Sequence, residues 1–232
     1  DEINAIANEF NLLVMEDAAH ALGAIYKDRP IGSISNFTAF SFQAIKHLTT
    51  GDGGALCCRE NIDYFEAKKK RWFGIDRENS KPSELGERLF DIDEVGYKYH
   101  LNDVSAAIGL GNLKNFSSQL SRIQQIAKIY RDELEKVEGL QLLDYKEDRR
   151  SAYWLFTVLV ENRGDFVQKL KENNVPSSVV NQRIDRFSVF KQNNEKLKNQ
   201  EIFDKKQISI PIHPAITDDD ISIILTSIKN GW

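Results

Sequence analysis

Cysteine is scarce in this 232-residue sequence, and the two that occur, Cys57 and Cys58, are adjacent. Neighbouring residues on a strand point to opposite faces, so these two are not expected to bond to each other. A disulfide framework is therefore excluded. We expect two reduced thiols, one in the core and one on the surface, in a cytoplasmic protein.

The sequence also lacks long apolar runs, a metal-ligand pattern and a strong excess of one charge. No run approaches the roughly 20 apolar residues that a membrane-spanning helix needs. The four histidines, at positions 20, 47, 100 and 213, do not have the spacing of metal ligands, so we expect no metal. A formal net charge of −4 gives no reason to expect nucleic acid.

What the sequence does contain is a lysine, Lys46, between a strand-like segment and a glycine-rich turn. Residues 37–42 alternate aromatic and small side chains, which predicts a strand on which Ser41 points away from its aromatic neighbours. Lys46 follows on a loop, where a mobile nucleophile is expected. Three glycines within residues 51–54 permit positive φ and close approach of the backbone.

A carboxylate, Asp17, ends an apolar run upstream of that lysine. Residues 11–15 are too few for a helix and do not alternate in polarity, which predicts a short buried strand. Asp17 would then lie at the carboxyl end of this strand, where ligands bind in open α/β sheets.

Together these groups match the needs of pyridoxal phosphate. A lysine forms its Schiff base, a carboxylate keeps its pyridine nitrogen protonated, and small polar groups receive its phosphate. Each signal is weak alone, because a lone lysine is usually a surface residue and a lone aspartate after a strand more often caps a helix. The joint pattern favours the cofactor.

The sequence resembles the DegT/DnrJ/EryC1/StrS family of sugar-nucleotide aminotransferases. Residues 16–24, 40–54 and 96–109 carry the resemblance, which is strongest before Leu113. It implies an α/β, fold-type-I pyridoxal-phosphate transferase. The partial large domain, with a mixed sheet, would span residues 1–115. A bridging helix and a small α+β carboxyl-terminal domain would span residues 116–232.

The resemblance also implies roles for individual residues. Lys46 would form the Schiff base, and Asp17 would pair with the pyridinium nitrogen. His20 stands where the family has Gln or His near the cofactor's phenolic oxygen, and Ser41 would bind the phosphate. Lys98 stands where many members have an asparagine that reaches the phosphate in the neighbouring subunit. A lysine can meet a phosphate as a point charge, and the resemblance implies a homodimer with shared sites.

The segment 181–185 lies where residues of the small domain approach the substrate in relatives. Arg183 would meet a phosphate or a carboxylate there. A surface ion pair between Arg183 and Asp185 is an equally open interpretation.

Local patterns predict the remaining elements. The first part of the chain is predicted to contain a helix over residues 1–10, a helix from Ile62 that carries a solvated basic run at 68–71, and a loop over 77–95. A long helix is predicted from Asp103, with an apolar stripe to Val137 and a stop at Gly139. The last part is predicted to contain strands at 152–160, 177–180 and 208–210, a helix capped by Asp165, and a final helix capped by Thr217.

The leading hypothesis is transamination of a nucleotide-linked keto sugar, with glutamate as the amino donor, in amino-sugar and polysaccharide biosynthesis such as that of lipopolysaccharide. Residues 49–54 resemble members that act at sugar C4 rather than C3, on 4-keto-6-deoxy substrates. A sister group of sugar dehydrases has His at the Schiff-base position, so Lys46 favours transamination over dehydration. A lyase or desulfurase that uses Cys57 or Cys58 is a second hypothesis.

A third hypothesis is a non-catalytic interaction module that keeps half of a cofactor site. Members of the family carry a long segment before the strand that ends at Asp17. We therefore expect the chain to be a fragment of a longer protein, or to be completed by another polypeptide.

Overall fold

The computed structural model describes residues 1–190 and 197–232, and the chain divides into two compact units. Unit 1 comprises Asp1–Ser117 and Asp148–Arg150, and unit 2 comprises Ser118–Glu147 and Ser151–Trp232. In chain order the elements are α1 (Glu2–Glu9), β1 (Met15–Asp17), β2 (Ile25–Tyr26), β3 (Arg29–Pro30), β4 (Phe37–Ser41), β5 (Gly54–Cys58), α2 (Asn61–Lys70), β6 (Lys81–Pro82), β7 (Arg88–Leu89), α3 (Asp103–Leu134), β8 (Leu140–Leu142), β9 (Arg149–Arg150), β10 (Phe156–Val160), α4 (Arg163–Glu172), a 3₁₀ turn (Ile184–Arg186), α5 (Lys198–Lys206), β11 (Gln207–Ile210) and α6 (Asp218–Lys229).

The central sheet of unit 1 is mixed and has the order β1-β4-β5. β1 and β4 run parallel, with Asp17 opposite Ala39, and β4 and β5 run antiparallel, with Ser41 opposite Gly54. Because parallel neighbours end at the same edge of a sheet, the carboxyl ends of β1 and β4 meet there. The predicted mixed sheet is confirmed, and Asp17 is the last residue of β1.

The apolar segment at residues 11–15 is not the buried strand that we predicted. β1 begins only at its last residue, and Leu12 and Leu13 are 61% and 73% exposed. Residues 11 and 12 instead belong to the turn that follows the predicted first helix, α1. Asn11 has a φ of +50°, and the Leu12 amide donates to the Ala7 carbonyl at 2.7 Å. A residue in the left-handed region ends a helix and does not continue as a strand.

Both cysteines lie on β5, and both are free and half-buried. Cys57 is opposite Thr38 and Cys58 is opposite Phe37 in the pairing of β5 with β4. The expectation of two unbonded thiols is confirmed. The expected division into a core thiol and a surface thiol is wrong, because neither residue is fully buried.

The basic run and the loop after it are tied together by ion pairs. Lys68 pairs with Glu78, and Lys70 pairs with Glu94, so two lysines of α2 reach acids of the following loop. The loop predicted at residues 77–95 contains a small hairpin of β6 and β7. Gly86, at φ +91°, permits its turn, which local polarity did not reveal.

Unit 2 contains an antiparallel sheet of order β11-β10-β8. Its central strand, β10, buries alternate residues, as a strand that has one face against a core does. The core consists of side chains from α3, α4, α6 and the sheet: Ile126, Ala127, Tyr130, Leu134, Leu140, Phe156, Val158, Val160, Phe166, Leu170, Val175, Ile208, Ile210, Ile221, Ile224 and Ile228.

The final helix, α6, begins where its sequence predicts. Thr217 caps it, because its hydroxyl accepts a hydrogen bond from the Asp220 amide at 3.1 Å. The Asp220 carboxylate in turn accepts from the Thr217 amide at 2.9 Å, which completes a capping box. The predicted strand at residues 208–210 is present as β11.

Other boundaries in unit 2 differ from the prediction. β10 starts at Phe156 instead of residue 152, because Tyr153 has a φ of +52° and interrupts the extended chain. Asn162 precedes α4 in left-handed geometry, so Asp165 lies in the first turn and does not cap the helix. The strand predicted at residues 177–180 is reduced to a single bridge, from Ser178 to Ser209.

The long helix α3 starts at the predicted residue, Asp103, and contributes to both units. It ends at Leu134, before the predicted stripe ends at Val137, and Gly139 follows at φ +76°. In the described parts of the chain, neither α3 nor any other helix is long and apolar enough to span a membrane.

Candidate active site

The candidate site lies at the edge of the sheet where β1 and β4 end. Asp17 is exposed at this edge, and its Oδ1 accepts a hydrogen bond from the Ala19 amide at 3.1 Å. The Ala18 amide donates to the Ala39 carbonyl of β4 at 2.8 Å, which extends the strand pairing past Asp17. The carboxylate is therefore oriented by the backbone and remains accessible to a ligand.

Lys46 lies on the loop that joins β4 to β5. The loop is closed at its base, because the Phe42 amide donates to the Gly53 carbonyl at 2.8 Å and the Thr50 amide donates to the Phe42 carbonyl at 2.9 Å. Near the tip, the Lys46 amide donates to the Gln43 carbonyl at 2.9 Å. The lysine is thus presented on a short turn with defined hydrogen bonds.

Ser41 begins this loop and contributes to the same turn. Its Oγ accepts a hydrogen bond from the Gln43 amide at 3.3 Å. As an O–H donor, the hydroxyl can also donate to an anionic oxygen. Ser41 is two residues past the point where β4 lies opposite Asp17, so both belong to the edge that the parallel strands share.

Two of the glycines are required by the close packing of the loop. A Cβ on Gly54 would lie 2.5 Å from the Phe40 carbonyl oxygen, which is a backbone atom that cannot move alone. A Cβ on Gly53, whose φ is +153°, would lie 2.6 Å from Thr50 Oγ1. The glycines therefore let the loop return to β5 within a few residues of Lys46.

The charges of the site interact with one another. Burial lowers the pKa of Lys46, and the Asp17 carboxylate opposes this by favouring the ammonium form. Burial also lowers the pKa of His20, and the positive charge of Lys46 lowers it further, while Asp17 raises it and His47 lowers it. The structure thus brings Asp17, His20 and Lys46 together in one electrostatic cluster.

His47 is a member of this cluster that the sequence did not single out. Its charge acts on His20, which lies on the turn after β1. The sequence feature that could have identified His47 is its position directly after Lys46, in a loop already assigned to the site.

The residues of the cluster fit pyridoxal phosphate. Lys46 supplies an amine whose pKa is lowered, so more of it is in the neutral, nucleophilic form at a given pH. Asp17 supplies an accessible carboxylate at a strand end, and Ser41 supplies a hydroxyl for an anionic group. In the part of the chain that the structure describes, no group of three or more His, Cys, Asp or Glu side chains is arranged to hold a metal ion.

Lys98 lies on a different segment of unit 1. It forms an antiparallel bridge with Trp72, and the Tyr97 amide donates to the Lys70 carbonyl at 2.7 Å, which holds this segment against the end of α2. The Lys98 side chain is exposed. Within residues 1–190 and 197–232 it makes no hydrogen bond or ion pair, so the structure does not join it to the Asp17 cluster of its own chain.

Arg183 in unit 2 is paired within its own segment. Its Nε donates to Asp185 Oδ1 at 3.0 Å and its Nη2 donates to Asp185 Oδ2 at 2.6 Å. The side chain is only 10% exposed, and the pairing lowers the pKa of the Asp185 carboxyl. Of the two interpretations of Arg183, the ion pair is the one present in this structure.

A cavity of about 770 Å³ in unit 1 does not contain the Asp17 cluster. It lies in unit 1 between α2 and the start of α3, and Trp72, Arg77 and His100 line part of it. Its lysines and arginines are balanced by acidic side chains, so it has no preference for one sign of charge. The chemistry of the Asp17 cluster, rather than enclosure, identifies the candidate site.

Comparison with known proteins places this geometry among aminotransferases. A family model described as the DegT/DnrJ/EryC1/StrS aminotransferase family matches residues 1–229. A UDP-4-amino-4,6-dideoxy-N-acetyl-β-L-altrosamine transaminase from Campylobacter jejuni is 30% identical, over 100% of this chain and 64% of its own length.

Solved structures show the same fold. AtS13 from Actinomadura melliaura has a TM-score of 0.93 and 33% identity, over 100% of this chain and 63% of its own. The sugar aminotransferase CalS13 from Micromonospora echinospora has a TM-score of 0.90 and 31% identity, over 99% of this chain and 62% of its own. The predicted fold type I is confirmed, and the chain spans less than two thirds of the length of these relatives.

Proposed function

Because this chain belongs to the DegT/DnrJ/EryC1/StrS aminotransferase family, we propose that it is part of an enzyme that transfers an amino group to a nucleotide-linked keto sugar. Aminotransferases of this family depend on pyridoxal phosphate, and the solved structures that the chain matches include a pyridoxal phosphate form and a pyridoxamine phosphate form. The observation that carries the proposal is that the parallel pairing of β1 with β4 brings Asp17 and the loop of Lys46 to one sheet edge, where the charge of Asp17 acts on the lysine.

Each residue of the cluster has a distinct task in this proposal. Pyridoxal phosphate, when bound, supplies an electron sink for the carbanion that forms at the donor's α-carbon. Asp17 would keep the pyridine nitrogen protonated, because a carboxylate nearby favours the charged form. The Lys46 amine would hold the cofactor and, once released, would take the proton from the α-carbon of the amino donor. The Ser41 hydroxyl would bind the phosphate, and His20 would help to hold the ring.

The substrate is a 4-keto-6-deoxy sugar nucleotide, and glutamate is the amino donor. The motif at residues 49–54 supports amination at C4. So does the name of the Campylobacter jejuni relative, which describes a 4-amino-4,6-dideoxy sugar. The product would serve amino-sugar and polysaccharide biosynthesis in the cytoplasm.

The enzyme acts as a homodimer with shared sites. Lys98 is exposed and lacks a partner side chain within the described parts of its own chain, which supports a role in the site of a second subunit. There it would face the cofactor phosphate as a point charge. Arg183, if its pair with Asp185 opens, would meet the substrate's phosphates.

The desulfurase hypothesis receives no support from the thiols. Burial raises the pKa of Cys58, and the charges of Asp63 and Cys57 raise it further. A raised pKa leaves little thiolate at neutral pH, and the thiolate is the nucleophile.

The test is a transamination assay on the full-length protein with added pyridoxal phosphate. A UDP- or dTDP-linked 4-keto-6-deoxy sugar and glutamate should yield 2-oxoglutarate and an amino sugar in equal amounts. Cofactor binding without turnover on any keto sugar nucleotide would support a non-catalytic module and overturn the proposal.

A further inference from the structure

The loop that carries Lys46 also packs against the first part of α3. The Asn112 Nδ2 donates a hydrogen bond of 2.9 Å to the carbonyl of Thr49. One helical turn earlier, Gly109 faces the methyl group of Thr50, so closely that a Cβ at residue 109 would lie 2.7 Å from Thr50 Cγ2. Residues three apart lie on one face of a helix, so both contacts belong to a single face of α3.

The two contacted residues organise the loop. Thr50 is 4% exposed, its amide donates to the Phe42 carbonyl at 2.9 Å, and its hydroxyl donates to the Asp52 carbonyl at 2.8 Å. The Thr49 hydroxyl accepts from the Gly51 amide at 2.9 Å. Lys46 is only three residues before Thr49, so the position of this pair determines where the amine is held.

We propose that Gly109 and Asn112 are positioning residues that hold the Lys46 loop in its reactive place on the sheet edge. The inference rests on the proposed function, in which Lys46 is the reactive amine. Loops are more mobile than the elements that they connect, whereas a reacting group must be held to within a fraction of an ångström. The strands fix the base of this loop, and α3 fixes the side that follows the lysine.

A glycine pair on α3 provides a matched test. Gly109→Ala adds a methyl group against Thr50, whereas Gly111→Ala adds one where nothing lies within 4 Å. Both changes replace glycine by alanine within one helix, so both gain the same helix propensity. A difference between them therefore reports the contact with the loop. Asn112→Leu removes the amide donor, and Asn112→Gln retains it.

The first readout is hydrogen exchange in the full-length protein without added cofactor. We expect the amides of Lys46, Thr50 and Gly51 to exchange about fivefold faster in Asn112→Leu, the factor given by the loss of one ordinary hydrogen bond. Gly109→Ala should show a similar increase. Gly111→Ala should match the wild type, and Asn112→Gln should restore most of the protection.

The second readout is the pH dependence of Lys46 modification by an amine-directed reagent, measured by peptide mapping. Loosening the loop exposes the amine to water, so the apparent pKa should rise towards that of an ordinary lysine in Gly109→Ala and Asn112→Leu. In the loaded enzyme kcat should fall, while KM for the sugar nucleotide should stay the same.

Equal exchange rates and equal Lys46 profiles in Gly109→Ala and Gly111→Ala would overturn the positioning role. This result is distinguishable from failure of the proposed function, because neither readout requires cofactor or turnover. If the wild type fails to transaminate while the glycine pair differs as expected, the loop is positioned by α3 and only its assigned chemistry is wrong.

Discussion

Ser41 and Gly54 lie opposite each other in the antiparallel pairing of β4 and β5. The chain therefore leaves the sheet at Ser41 and returns to it in register after the loop that contains Lys46. The chemistry of the candidate site depends on this arrangement, because the loop starts and ends at the edge where Asp17 ends β1. This arrangement places Lys46 where the charge of the Asp17 carboxylate acts on it.

We expect Lys46→Ala to abolish covalent attachment of pyridoxal phosphate that borohydride can trap. Lys46 is the amine of the Asp17 cluster, and its lowered pKa favours the nucleophilic form. Lys114→Ala, on the exposed surface of α3, is the matched control and should trap cofactor as the wild type does. Unchanged trapping in Lys46→Ala would show that another lysine is the reactive amine.

We expect Asp17→Asn to keep the fold and to lower kcat about a hundredfold, the usual cost of removing one preorganised electrostatic partner. The amide can still accept the Ala19 hydrogen bond, but it no longer favours a protonated pyridine nitrogen. Asp28→Asn, in the turn between β2 and β3, is the control. Turnover close to wild type in Asp17→Asn would remove this residue from the mechanism.

The same variant should also change the pH profile of the lysine. The Asp17 carboxylate stabilises the Lys46 ammonium and so raises its pKa, against the effect of burial. Removing the charge therefore lowers the pKa further. In cofactor-free protein, the rate of Lys46 modification should reach half of its maximum at a lower pH in Asp17→Asn than in the wild type. A shift to higher pH would contradict the electrostatic contact.

We expect Tyr130→Phe to destabilise the protein by about 1–2 kcal/mol, because it removes the hydrogen bond between a fully buried side chain and the partly buried Pro211 carbonyl. Tyr130 is fully buried in the core of unit 2, and its hydroxyl donates to the Pro211 carbonyl at 2.9 Å. Urea denaturation with an unchanged m-value would measure the loss. Tyr99→Phe, at a residue that is 75% exposed, should change stability little.

Signals confined to a few residues predicted structure well. The helix cap at Thr217 and the alternation along β4 depend only on neighbours in the chain, so the sequence contains all that they require. The prediction of a buried strand at residues 11–15 was wrong for the opposite reason. The apolar composition of this segment suits a buried strand, but its first residues form the left-handed turn at Asn11 that follows α1.

The candidate site was predictable only in part. Spacing along the chain does not show that the charge of Asp17 acts on Lys46, because that interaction depends on the parallel pairing of β1 with β4. The resemblance to a family supplied this relationship in advance. The support from Gly109 and Asn112 could not be foreseen, because it depends on how α3 packs against a loop that is distant in sequence.

Lys98 is expected to act in the site of a second subunit. We expect the full-length protein to sediment as a homodimer, with pyridoxal phosphate strengthening the association, since a ligand that binds only the assembled state stabilises it. If Lys98 serves the partner's site, Lys46→Ala and Lys98→Ala subunits should complement each other. In a mixed dimer, one site then combines an intact Lys46 from one chain with an intact Lys98 from the other.

The Lys46→Ala and Lys98→Ala variants, unfolded together and refolded as a mixture, should therefore recover roughly a quarter of the wild-type sites, since half of the randomly paired dimers are mixed and one site in each is intact. The Lys46→Ala variant, unfolded and refolded alone, is the control for the refolding step and should recover no activity. If Lys98 acted in its own chain's site, every site of the mixed dimer would lack one residue, and no activity would return. A monomer that holds the cofactor tightly at micromolar concentration would contradict the shared site directly.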